Sequence, residues 1–429
     1  MALKLSPVIR PPLMHPLEET PTMLLRRMLV LGLVLSAPNL FAAGLPPVEA
    51  MPTLDAATLA SPSLLNGSGY TVDATVPVVG YMGQFTLRAP AGTFIANGTE
   101  MLAIRIAELP AIDQLARLSQ SGVFANALAA SAMKTGTAIG QAVINPVQTI
   151  EGIPGGVGRF FQSAATTISR TAQSVDGSNS AQSASAGDAA MNALGLNKAR
   201  RQIAKQVGAD PYTTNPVLAN RLDQLSQAAF AGGVSLDVAL AVSTAGVATA
   251  ISATATVSNL VWDKSPQDIR TIHENKLAAM GVGPDTVRAF VTNRWLTPTL
   301  SVPLVENLEQ MSSAKGRVAV AALASTVANE AEARFMVNAV SMARQAGTER
   351  DPVIAIDLSK RILVVRTRGG RVTVPAPVDY VVWTDRVKAF AEQNAKGPPR
   401  RIVVTGVASA RAREGLKATG WALEEHSKR

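Results

Sequence analysis

The chain has 429 residues, 47% of them hydrophobic and 17% charged, with 40 Lys and Arg against 31 Asp and Glu. That length calls for two or three folded units, and that composition excludes a highly charged disordered polymer. With no Cys, and only His15, His273 and His426, disulfide frameworks, thiol catalysis, iron–sulfur clusters and multi-histidine metal centres are excluded for a single chain.

Met23 to Arg27 is a short basic stretch, followed by an apolar run from Met28 to Phe41 and then Ala42-Ala43-Gly44, the layout of a secretory signal peptide. Translation is expected to start at Met23, cleavage to follow Ala42 or Ala43, and the product to be periplasmic or extracellular. The apolar run is too short to anchor the protein in a bilayer, and no Cys follows it to accept a lipid. Residues 1–43 therefore read as an N-terminal extension and signal peptide. Residues 44–68, with Pro and Ser but no apolar periodicity, read as a flexible leader.

Residues 69–170 read as a β-ribbon plus Ala- and Gly-rich helices. Three strands are expected at Tyr70–Val76, Gln84–Arg88 and Thr93–Ala96, with Phe85, Leu87 and Phe94 packed on the helix that follows. That helix opens at Asn97-Gly98-Thr99-Glu100 and places Leu102, Ile106, Leu109, Ile112 and Leu115 on one face, with Pro110 as a kink. Further helices are expected at 123–134 and 138–144, and a Ser-, Gly- and Gln-rich linker at 171–195.

Residues 196–348 read as an all-α domain. A basic helix runs to Val207 and closes at Gly208, and Asn215 caps the next helix with Pro216 at its first position. Helices are expected at 216–231, 234–262, 266–280, 284–293, 300–311 and 315–346. Residues 349–429 read as a small basic α/β module. Its strands are Val353–Leu358, Arg361–Arg368 and Arg371–Val374, with a hairpin at Gly369-Gly370; helix, strand, helix and strand then run from Thr384 to Glu424. The expected fold class is α+β and predominantly α: an N-terminal β-ribbon packed on helices, a central all-α domain and a C-terminal α/β module.

From Val353 to Arg429 there are 15 Lys and Arg against 7 Asp and Glu, a net +8 that carries nearly all of the basic excess. Arg366, Arg368 and Arg371 around the hairpin, with Arg400 and Arg401, are the candidate residues for binding an acidic partner, either an envelope protein or an acidic surface. Tyr380, Trp383, Phe390 and Trp421 are expected in the core, which leaves few stacking partners and makes nucleic acid an unexpected ligand. Val238–Trp262 has no charged residue and admits two readings, a helix buried in the helical domain or a membrane-inserted segment.

Gly152 to Gly158 lacks the Lys-Ser/Thr of a P-loop and reads as a helix junction. Thr405 to Ser409 reads as a strand-to-helix turn with Ser409 as N-cap, or as an anion site with Arg411 and Arg413 nearby. Glu330 and Glu332, two apart on a helix, do not face each other, and His273 beside Glu274 has no catalytic motif around it. No catalytic, metal or cofactor residue is assigned. The expected role is an exported, non-catalytic binding or envelope-associated protein. The alternatives are a membrane-inserting protein using 238–262, and a hydrolase or transferase without a recognisable motif.

Overall fold

The structure is a computed structural model, and it describes residues 45–119, 195–232, 260–393 and 400–427. The expected signal peptide, the helices at 123–144, the Gly152–Gly158 stretch, the linker up to residue 194 and most of 234–262 lie outside those residues.

The first sheet starts inside the stretch read as a leader. β1 (Thr53–Asp55), α1 (Ala56–Leu59), α2 (Pro62–Leu65) and β2 (Asn66–Gly67) precede β3 (Tyr70–Val72), β4 (Thr75–Val79), β5 (Met82–Ala89) and β6 (Gly92–Asn97). The order is β1-β4-β5-β3-β2, with β6 on β5, so the expected three-stranded ribbon is a six-stranded antiparallel sheet. Pieces this short carry too few residues to show a period, yet Ala56 and Ala60 are buried in the core beside them. Gly80 and Tyr81 form the two-residue turn between β4 and β5, both at positive φ (57° and 70°), the twist that joins adjacent strands without splaying them.

Alternation sets the faces of this sheet. Val76, Val78, Phe85, Leu87, Phe94 and Ala96 point inward. They meet α3 (Thr99–Ser119) through Leu102, Leu109, Ile112 and Leu115, and the helix continues through Pro110. Ile106, expected on the same face, is only half-buried, whereas Arg105 and Glu108 are buried.

The central helices do not form an all-α domain. α4 (195–206) and α5 (Pro216–Gly232) place Ile203, Ala204, Leu218 and Leu222 in the same core as the first sheet. α6 (Pro266–Ala279), α7 (Pro284–Thr292), α8 (Pro298–Gln310), α9 (Arg317–Ala324) and α10 (Glu330–Gln345) share a second core with Val353, Ile356, Leu363 and Val365 of the C-terminal sheet. The expected helix 315–346 is thus two helices, α9 and α10. Of the described residues 51% are helical and 22% lie in strands. The chain is a mixed α+β protein, and the expectation of a predominantly α fold with a central all-α domain is corrected. The physical reason is that each amphipathic helix needs an apolar face to cover, and here the nearest one belongs to a sheet.

The C-terminal sheet holds β7 (Val353–Ser359), β8 (Ile362–Thr367), β9 (Val372–Ala376), β11 (Arg400–Val404) and β13 (Trp421–Glu424) in the order β13-β11-β9-β8-β7. β7, β8 and β9 are antiparallel, while β9, β11 and β13 are parallel. The hairpin expected at Gly369-Gly370 joins β8 to β9, with Gly370 at φ 83°. β10 (Tyr380–Val381) pairs in parallel with β12 (Val407–Ala408), and α11 (Asp385–Gln393) and α12 (Ala410–Ala418) complete the module.

A buried carboxylate links the two ends of the chain. Asp379, 1% exposed, accepts hydrogen bonds from Gly83 N (3.0 Å), Thr99 N (3.1 Å) and Thr99 Oγ1 (2.7 Å). It therefore sits at the positive end of α3 and takes up the Thr99 amide that the helix itself leaves unpaired. The backbone amides of Asp379 and Tyr380 in turn donate to Tyr81 O, and the Tyr81 and Thr384 hydroxyls lie 2.8 Å apart. Asp379→Ala leaves those donors buried without an acceptor, an expected loss of about 2–4 kcal/mol. The urea midpoint should fall accordingly, with Asp379→Asn intermediate because its amide oxygen still accepts. An unchanged midpoint for the Ala variant would remove Asp379 as a structural tie.

Candidate functional site

The arginines expected to bind an acidic partner do not form one cluster. β-sheet register places Arg366 opposite Val372, Val372 beside Arg400, and Arg400 beside Trp421, one row across β8, β9, β11 and β13. Arg400 stacks its guanidinium over the Trp421 ring at 5.1 Å. Arg401, one residue further on, falls on the opposite face. There it donates to Thr373 Oγ1 (3.1 Å) and Glu424 (2.9 Å).

Arg368 and Arg371 belong to the hairpin. Asp351 organises that turn by accepting from Gly369 N (2.6 Å), Thr367 Oγ1 (2.9 Å) and Arg371 (2.8 Å). The Gly369 amide, with help from Thr367 and Arg371, holds the Asp351 carboxyl below its ordinary range. Arg366 pairs with Asp357 at 2.5 Å, both side chains about half exposed. Arg368 is exposed and has no ion pair among the described residues. Arg366 thus lies on the face of Arg400, Arg371 lies on the opposite face beside Thr367, with which it shares Asp351, and Arg368 stands in the turn between them; all three remain in contact with solvent. Exposed pairs of this kind contribute at most about 1 kcal/mol and exchange readily.

The second anion candidate, at Ser409, is already occupied by the chain itself. Ser409 Oγ caps α12 by accepting from Ala412 N (3.0 Å) and donates to Glu49 Oε2 at 2.5 Å. Glu49 also accepts from Trp383 N (2.9 Å), and Trp383 Nε1 donates to Pro46 O (3.0 Å). The expected cap is therefore present, and the carboxylate it faces is Glu49.

Sequence reasoning missed a polar network buried between α3, the turn before α5, and α10. Glu108, 2% exposed, accepts from Arg105 (2.9 Å), Asn215 Nδ2 (2.8 Å) and the Thr213 hydroxyl. Arg105 also reaches Thr214 Oγ1 (2.8 Å) and Glu330 (3.5 Å), and Arg334 pairs with Glu330 (2.9 Å) and Glu100 (3.4 Å). Asn215 still caps α5, its side chain accepting from Val217 N at 3.1 Å. Asp210 accepts from Tyr212 N and Thr299 Oγ1, and burial pushes its carboxyl above the ordinary range. Each of these carboxylates is taken up by donors from another element, so the network holds elements together. Charged residues inside a helix read as a solvated face in sequence, and the approach of α10 and of the turn before α5 buries them.

Among the described residues no group of three His, Asp or Glu could hold a metal ion, and no helix is long and apolar enough to cross a membrane. Of the apolar segment Val238–Trp262, only Leu260, Val261 and Trp262 are described, and Val261 is fully buried. No protein-family model matches the chain, and no curated protein or solved structure matches it either.

His273 is buried (4% exposed) on α6, edge-on to Phe290 at 6.3 Å. Burial, reinforced by Lys276, lowers its pKa from 6.5 to about 4. The folded imidazole is neutral, whereas the unfolded one takes up its proton near 6.5. The unfolded state therefore binds more protons between pH 6.5 and 4, and stability falls as the pH falls through that window. The full shift corresponds to about 3 kcal/mol. Urea midpoints measured from pH 7 to pH 4 should show this slope, and His273→Met should flatten it. A variant with the same slope as the wild type would place the proton uptake elsewhere.

Proposed function

We propose that the chain is an exported, non-catalytic binding protein that receives an acidic envelope partner on the arginine-bearing hairpin of its C-terminal sheet. The observation that carries this reading is the placement of Arg366, Arg368 and Arg371 around one β-hairpin, exposed, with Asp351 accepting from the turn amide of Gly369 and from Arg371. Guanidinium groups in solvent with exchangeable partners suit carboxylate recognition, since each presents a planar fork of donors. Arg400 lies in the row of Arg366, supported by Trp421, and Arg401 lies on the opposite face with Arg371 and Thr373, so the proposed surface is the end of the hairpin and not one face of the sheet. Export rests on the Met23–Gly44 pattern.

Poly-L-glutamate is a direct probe. Binding to the mature protein should weaken about tenfold or more as salt rises from about 0.05 to 0.5 M. Combined Arg366→Glu, Arg368→Glu and Arg371→Glu should abolish it at low salt with the melting temperature little changed, because exposed pairs add little stability. Protein prepared from the envelope fraction should begin at Ala43 or Gly44. Binding that survives the triple reversal would overturn the assignment of the hairpin as the contact surface.

A further inference from the structure

One flank of the α3 stripe that covers the sheet also borders a cleft. Ile106, Leu109, Pro110, Asp113, Gln114 and Arg117 recur at helical spacing and overhang two turns of the first sheet, Ser68-Gly69-Tyr70 and Ala89-Pro90-Ala91. Between helix and turns lies a cleft of about 540 Å³. That volume falls within the range of about 300–1,000 Å³ typical of small-molecule sites.

Its walls are largely apolar and its polar groups are few and distinct. The Tyr70 ring is held in place by its hydroxyl donating to Ser63 O (3.1 Å), and Gly67 makes room for that ring, since a Cβ there would meet it at 2.3 Å. Pro110 has no N–H, so the Ile106 carbonyl four residues earlier lacks its usual helical donor. Asp113, exposed, lines the cleft one helical turn before Arg117, so an anion held at Arg117 sits on the side of that guanidinium away from Asp113. Arg117, exposed at the rim, has no hydrogen bond or ion pair among the described residues.

We infer that this cleft binds a small amphipathic carboxylate: an apolar body between Tyr70, Ile106 and Leu109, and an anionic head at Arg117 with Gln114 beside it. The site is separate from the C-terminal hairpin, and Ile106, partly buried against the first core, turns its remaining surface to the cleft.

The test uses the full mature protein and the fluorescent amphipathic anion 1-anilinonaphthalene-8-sulfonate, with octanoate as competitor. One saturable site is expected, displaced by octanoate and not by octanamide. Arg117→Glu should weaken both ligands at least tenfold, Ala91→Trp should abolish binding by filling the cleft, and the charge-matched surface change Arg288→Glu should leave it unchanged. Because Arg117 is exposed, its substitution does not threaten folding, and an unaltered melt confirms that. Absence of saturable binding, or equal binding by wild type and both cleft variants, would overturn the site. Displacement by octanamide as effective as that by octanoate would overturn its preference for an anion.

Discussion

The carboxylate of Asp379 fixes the relation between the first sheet and the C-terminal module. It is 1% exposed and lies at the start of α3, where two backbone amides and a hydroxyl converge on it. Burying such a charge costs several kcal/mol unless donors replace its water. Here the donors come from β5 and α3, some 280–296 residues away in sequence, so the compensation exists only in the assembled fold. Two glycines make the approach possible. A Cβ at Gly406 would lie 1.9 Å from Asp379 O, and Gly98 sits at φ 100° just before α3.

Glu49 repeats the device at α12. Its carboxylate meets the Ser409 hydroxyl and the Trp383 amide while the Pro46 carbonyl accepts from the Trp383 indole, so the first described residues strap across the last module. A third set of ties, the Arg105–Glu108–Glu330–Arg334 network, joins α3 to α10. These contacts are polar and specific, and they hold the elements in place. What they leave to solvent is the hairpin with Arg366, Arg368 and Arg371 at one sheet and the Arg117-rimmed cleft at the other. Both proposed surfaces are therefore mounted on elements whose backbone is held from within.

Local signals carried much of the secondary structure into the sequence. Asn215 before Pro216, the Gly369-Gly370 pair and the alternation from Gln84 to Ala96 each determine geometry within a few residues, and each element appears where the pattern predicts it. That the central helices share their cores with the sheets was not legible, because periodicity says that a face is apolar and is silent on what covers it. The cores shared between helices and sheets follow from that silence. Nor could the sequence reveal that Asp379 caps α3, since a residue so distant leaves no mark near Asn97-Gly98-Thr99. For the candidate site, the concentration of arginines was visible as charge, but their division between a row, a hairpin and the opposite face depends on sheet register.

The central claim is that the first sheet, α3 and the C-terminal module form one cooperative unit tied at Asp379 and Glu49. Native-state hydrogen exchange under increasing denaturant tests it directly, by following amides in β5, at the start of α3, and in β10 and α12. The account predicts that these segments converge on one opening free energy, equal to that of global unfolding. Release of β10 and α12 at a lower free energy, while β5 and α3 remain protected, would show two independently stable parts and contradict it.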